Sequence, residues 1–174
     1  MVSESLADRE RFRVPPLGSV IVSTKGEGEL LAGAVKVSSN ITLGGTVRID
    51  IPGIGLLGMG DASPITGFVA PVRRSAGNFN AGIAVVNTED GPVALGLELL
   101  NQQGDSHSPP IEIQIPAGGH LSKFINELFP AADTAAFEGT LVGRVDEGSI
   151  AVVAVELGVT TGHLIALPVA ALAE

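Results

Sequence analysis

The 174 residues carry 10 Lys and Arg against 19 Asp and Glu, a net charge of −9 that excludes the basic footprint a nucleic-acid partner requires. Hydrophobic residues make up 45% of the chain, enough to bury a core, and with 6 Phe as the only aromatics that core must be aliphatic. Cys, Tyr and Trp are absent, which excludes disulfides, thiolate chemistry and Cys-based zinc, and removes the flat rings that sugar platforms use.

The first residues, MVSESLADRERFRV, are polar and charged, unlike a signal peptide, so an exported form is expected to carry its signal outside this chain. Arg9, Arg11 and Arg13, and later Arg73 and Arg74, read as solvated edge-strand positions. Apolar runs then recur between turn signals: Phe12 to Val14, the Pro15-Pro16 break, Val20 to Val22, Leu31 to Val37 and Ile41 to Leu43. Val47, Ile49 and Ile51 alternate with Arg48 and Asp50, the period of a strand with one wet face. Residues 52–64 read as a Gly-rich apolar loop suited to contacting a partner, and lack the spacing of a phosphate-binding glycine loop.

Phe68 to Val72 opens the second half. Ile83 to Val86 and Val93 to Leu99 read as a hairpin across Glu89-Asp90-Gly91-Pro92. Ile111, Ile113 and Ile115 alternate up to Pro116. Leu121, Phe124, Ile125 and Leu128 make a helical stripe between Gly118-Gly119 and Pro130, which predicts one short helix around residues 120–129. Phe137 to Val145 and Ile150 to Leu157 predict a second hairpin across Asp146-Glu147-Gly148, and Leu164 to Val169 the last strand. No run of about 18 apolar residues is present to span a membrane as a helix.

Three short blocks recur in the same order. Phe12–Gly18 matches Ile113–Gly119, Leu31–Val35 matches Phe137–Leu141, and Phe68–Val72 matches Ile165–Val169. The second set is preceded by the strands at 83–99, and the eleven residues before Phe12 leave no room for their counterpart. The fold expected is therefore an all-β antiparallel β-sandwich built from two related repeat units: an incomplete one over 1–66 and a complete one over 67–174. An incomplete unit follows if the chain is part of a longer array, if a partner supplies the missing strands, or if both copies share one sandwich.

The phrases GIAVVNTEDGPVALGLELLNQQG, IPAGGHLSKFINELFP and FEGTLVGRV, with a closing LPV, resemble a β-sandwich repeat of large secreted or surface-anchored bacterial proteins. The resemblance covers residues 67–169 well and 12–72 in part, and implies the fold and a secreted or cell-surface location but no activity.

No catalytic or cofactor site is expected, so the chain is not read as an enzyme. His107, His120 and His163 are scattered without metal-ligand spacing, Ser19 lacks a nucleophile elbow, and the pairs Glu89-Asp90 and Asp146-Glu147 are explained by turn chemistry. No metal site is assigned. Calcium at the acidic turns is the best of the metal readings, although no calcium loop is present. The function expected is structural or adhesive and non-enzymatic: self-assembly by sheet-edge pairing, with identical subunits or neighbouring modules, into a filament or surface layer. Phe12, Val14, Val20 and Val22 are the expected assembly edge. The alternative is a small polysaccharide- or peptide-binding module that uses Leu56, Leu57, Met59 and Phe79.

Overall fold

In a computed structural model that describes residues 2–3, 11–23, 33–51 and 55–172, the chain is an antiparallel all-β sandwich with one helical turn. The strands are β1 (Val2–Ser3), β2 (Thr46–Ile51), β3 (Gly55–Gly60), β4 (Gly67–Ser75), β5 (Phe79–Asn87), β6 (Val93–Asn101), β7 (Ile111–Ile115) and β8 (His120–Phe124). The turn α1 (Ile125–Leu128) follows, then β9 (Ala136–Val145), β10 (Ile150–Gly158), β11 (Leu164–Leu167) and β12 (Ala170–Ala171). No described helix is long and apolar enough to cross a membrane.

Two layers face each other. One runs β12–β4–β9–β6–β7 and the other β1–β8–β5–β10–β11. They join at the β4–β5 corner, where Arg74 pairs with Asn80 and Ser75 with Phe79. Alternate residues of each strand point inward: Val93, Leu95, Leu97 and Leu99 on β6 meet Ile83 and Val85 on β5 and Ile150 and Val152 on β10 in one buried cluster.

The two predicted hairpins are not hairpins. β5 bonds to β8 and β10, while β6 bonds to β7 and β9, so the chain crosses from layer to layer at residues 88–92. It crosses again between β9 and β10. Period-two alternation places an apolar face but not a neighbour, and stacking two such faces across the core buries both. At each crossing side chains replace the ladder. The Asn87 amide donates to the carbonyls of Gly91, Ile115 and Pro116, and Thr88 donates to the Ser149 carbonyl.

The predicted helix is also shorter than its stripe. His120–Phe124 is extended and pairs with β5 from Gly82↔Phe124 to Val86↔His120, leaving one turn at Ile125–Leu128. Backbone groups along that side of β5 need partners, and this demand outweighs a weak local helix preference. The Phe124 N–H donates to the Glu127 carboxylate at 2.8 Å, which closes the start of the turn.

Residues 55–60, expected in a loop, form β3 and pair with β2 in register from Thr46↔Gly60 to Ile51↔Gly55. The glycines of this strand meet no obstacle to close pairing, since a Cβ on Gly55, Gly58 or Gly60 would have nothing within 4 Å. In contrast, the runs expected as strands at 12–14, 20–22, 33–37 and 41–43 form no ladder. Leu31 and Ala32, from the second repeated block, lie outside the described residues, as does 52–54 of the expected loop.

The first repeated block does share a backbone shape with its match. Gly18 N–H donates to the Pro15 carbonyl and Gly119 N–H to the Pro116 carbonyl, each at 2.9 Å. The third residue of each turn, Leu17 or Gly118, sits at a φ of 60°, the left-handed form a type II turn requires. At residue 118 the turn leads from β7 to β8. At residue 17 it joins two exposed segments.

Candidate functional site

An open concavity lies between β3 and the strands β10 and β11. It is a groove of about 360 Å³ with Met59, Ile65, Val152, Ala154, Leu167 and Val169 in its wall. Ile65 is tied to Ile150 by two backbone hydrogen bonds of 2.9 Å, which hold the 61–65 segment against the sandwich mouth. β10 places Val152 and Ala154 on its inward phase, so the groove reaches the edge of the core. Asp61 and Ser63 supply its polar side. Among the described residues this wall is largely apolar and holds no cluster of titratable groups.

The four residues expected to form a ligand loop separate. Leu57 and Met59 share one face of β3, Leu57 buried and Met59 half-buried in the groove wall, whereas Leu56 points the other way and is 53% exposed. Phe79 lies at the β4–β5 corner, outside the groove wall. Of the expected assembly edge, Phe12, Val20 and Val22 are exposed and Val14 is half-buried, and none belongs to a strand.

Phe79 instead belongs to an ion-pair site that sequence reasoning missed. The Arg73 guanidinium lies 4.2 Å from the Phe79 ring centroid and donates through Nε and Nη2 to the Glu156 carboxylate, at 2.5 and 2.8 Å. Glu156 is buried, while the Arg73 side chain is 48% exposed. A signal was present: Glu156 continues the inward phase of Ile150, Val152 and Ala154, so alternation alone sends its carboxylate toward the core. The Glu156 hydrogen bond, then its charge, raises the Arg73 pKa. A raised pKa means that this contribution is complete at neutral pH and is lost only as pH climbs through the range where guanidinium deprotonates.

Removing one member of the pair is harsher than removing both. Arg73→Met leaves a buried carboxylate without its fork, while Arg73→Met with Glu156→Leu substitutes apolar groups. The single variant is expected to melt below the double in thermal unfolding. Equal melting would show that water replaces the guanidinium.

The remaining polar side chains are dispersed. His107 contacts the Asp133 carbonyl through Nε2 at 2.9 Å and tilts against Phe137, with ring centroids 4.6 Å apart. His120 lies on β8 opposite Val86, and His163 is exposed near the β10–β11 turn. Glu89 accepts a 2.5 Å hydrogen bond from the Ser149 hydroxyl, which joins the two crossings at one end of the sandwich. Ser19, Asp146 and Glu147 are exposed. Among the described residues no three His, Asp or Glu side chains gather as a metal ion would need.

Comparison with family models, curated proteins and solved structures finds no match.

Proposed function

We propose that the chain is a non-enzymatic structural or adhesive module that assembles with its own copies, or with neighbouring modules, by pairing of sheet edges into a fibre or surface layer. One observation carries this reading. Among the described residues fourteen large apolar side chains are exposed: twelve lie between Phe12 and Leu56, and two, Val159 and Ile165, lie within the sandwich. Nine of these twelve lie on backbone outside any ladder and three on the two-stranded β2–β3 sheet, and exposed apolar side chains beside unpaired backbone groups invite strand addition. The turn at Pro15–Gly18 supports it, because the same turn at Pro116–Gly119 joins β7 to β8, two strands of the sandwich. A bacterial, extracellular setting rests on the resemblance of residues 67–169 to surface-protein repeats.

Light scattering after size exclusion, repeated across concentration, with electron microscopy of the heaviest fraction, tests the reading. Oligomers or filaments that grow with concentration are expected. A monomer at every concentration would overturn it. The groove beside Met59 would then favour the alternative, a small module that binds peptide in preference to polysaccharide, since the chain has no Tyr or Trp for stacking on sugars.

A further inference from the structure

We propose that β2 pairs with β2 of a second copy, antiparallel about a two-fold axis through Ile49. This deepens the edge-pairing reading and rests on it. One side of β2 is bonded to β3, and its other side carries no ladder among the described residues. Among the described residues the other edges are shorter or guarded: β1 and β12 have two residues each, and β3 lies beside β11. β7 has five residues bracketed by Pro109-Pro110 and Pro116, and β11 has four residues and ends before Pro168. β2 has six residues and no proline, and exposes Val47 and Ile49 to 46% and 37%.

Charge then selects the partner and the register. In an antiparallel pair of identical strands, positions directly opposite each other have numbers with a constant sum. An odd sum sets the Val47 and Ile49 face of one strand beside the Arg48 and Asp50 face of the other. Centring on Arg48 opposes two arginines, and centring on Asp50 opposes two aspartates. Centring on Ile49 places Arg48 opposite Asp50 twice, with Ile49 opposite itself and Val47 opposite Ile51. Arg48 and Asp50 are exposed, and neither has an ion-pair partner among the described residues. A short strand that is complementary only to its own copy satisfies what an isologous interface requires. The product is a closed four-stranded sheet, β3–β2–β2–β3. Growth beyond a dimer then falls to the exposed segments at 11–23 and 33–43.

The chain has no cysteine, so a single introduced thiol reports the register cleanly. Under mild oxidation Ile49→Cys is expected to cross-link to a dimer, because directly opposite Cα atoms lie about 4.5–5.5 Å apart. Val47→Cys is not, because its copy is displaced by four residues, roughly 13 Å along the strand. Arg48→Asp and Asp50→Arg should each weaken dimerisation by about tenfold or more, and the double exchange should restore it. All of these changes lie outside the sandwich core, and circular dichroism should show its melting unchanged.

Equal cross-linking at both positions, or single charge variants that associate like the wild type, would overturn the β2 register while leaving assembly through another edge intact. A wild-type monomer at every concentration would overturn both readings.

Discussion

Phe68→Ala should cost about 3–5 kcal/mol, among the largest losses any single truncation here can cause. The ring is fully buried on β4 and stands opposite Gly143 of β9 in the ladder. A Cβ built on Gly143 would overlap the Phe68 ring at Cε1, so the ring lies flat over the space that glycine leaves. Truncation therefore empties a site whose opposite wall has no side chain to fall inward, the condition under which a cavity persists. The reciprocal change, Gly143→Ala, drives a methyl group into the ring and should cost about 1–3 kcal/mol. Because the two residues share one space, their effects should not add. Phe68→Leu with Gly143→Ala should be more stable than the sum of the separate losses. Urea unfolding midpoints of the four proteins provide the check, and strict additivity would show that the ring and the glycine are not coupled.

The second large effect is expected at Asn87, which is almost fully buried at the end of β5. Its amide nitrogen lies 2.7, 3.0 and 2.9 Å from the carbonyl oxygens of Gly91, Ile115 and Pro116, and its oxygen accepts the Glu89 N–H at 2.9 Å. One side chain thus binds the start of the crossing, its middle and the end of β7, where no ladder can form. Asn87→Ala leaves the buried Ile115 carbonyl without its partner and loosens three partly buried contacts, and should cost about 1–3 kcal/mol. Asn87→Asp is the sharper test. It keeps the acceptor for Glu89 but turns a carboxylate oxygen toward three carbonyls, so it should be worse than Ala at any pH high enough to keep it ionised. Chemical denaturation, with hydrogen exchange at the Glu89 amide, measures both. An Asp variant as stable as the wild type would mean that the three carbonyls do not depend on the amide.

The candidate site was legible in part, and the legible part followed the strand period. Leu57 and Met59 are two residues apart and share a face of β3, so once that segment is known to be a strand their joint placement in the groove wall follows. The glycines around them hid the strand, because their lack of side chains reads as a loop while it also lets two backbones pair freely. Phe79 could not be separated from that group in advance. It stands 20 residues beyond Met59, and only the β4–β5 corner and the 83-residue separation between Arg73 and Glu156 bring it to a different site.

The chain's own residues determine the class of fold and the side on which each strand is buried. Val93, Leu95, Leu97 and Leu99, or Ile111, Ile113 and Ile115, can hide their apolar atoms only as alternating strands, and the glycines and prolines between such runs mark the turns. The choice of neighbour was decided by the tertiary structure. β5 and β6 would bury the same residues side by side as they do across the core, so their local periodicity is the same in both alternatives. The stripe at Leu121, Phe124, Ile125 and Leu128 is apolar only at helical spacing, yet its first part pairs with β5 as a strand. What separates such alternatives is whether every backbone N–H and C=O of the adjacent strands finds a partner, and that condition exists only once distant segments are brought together.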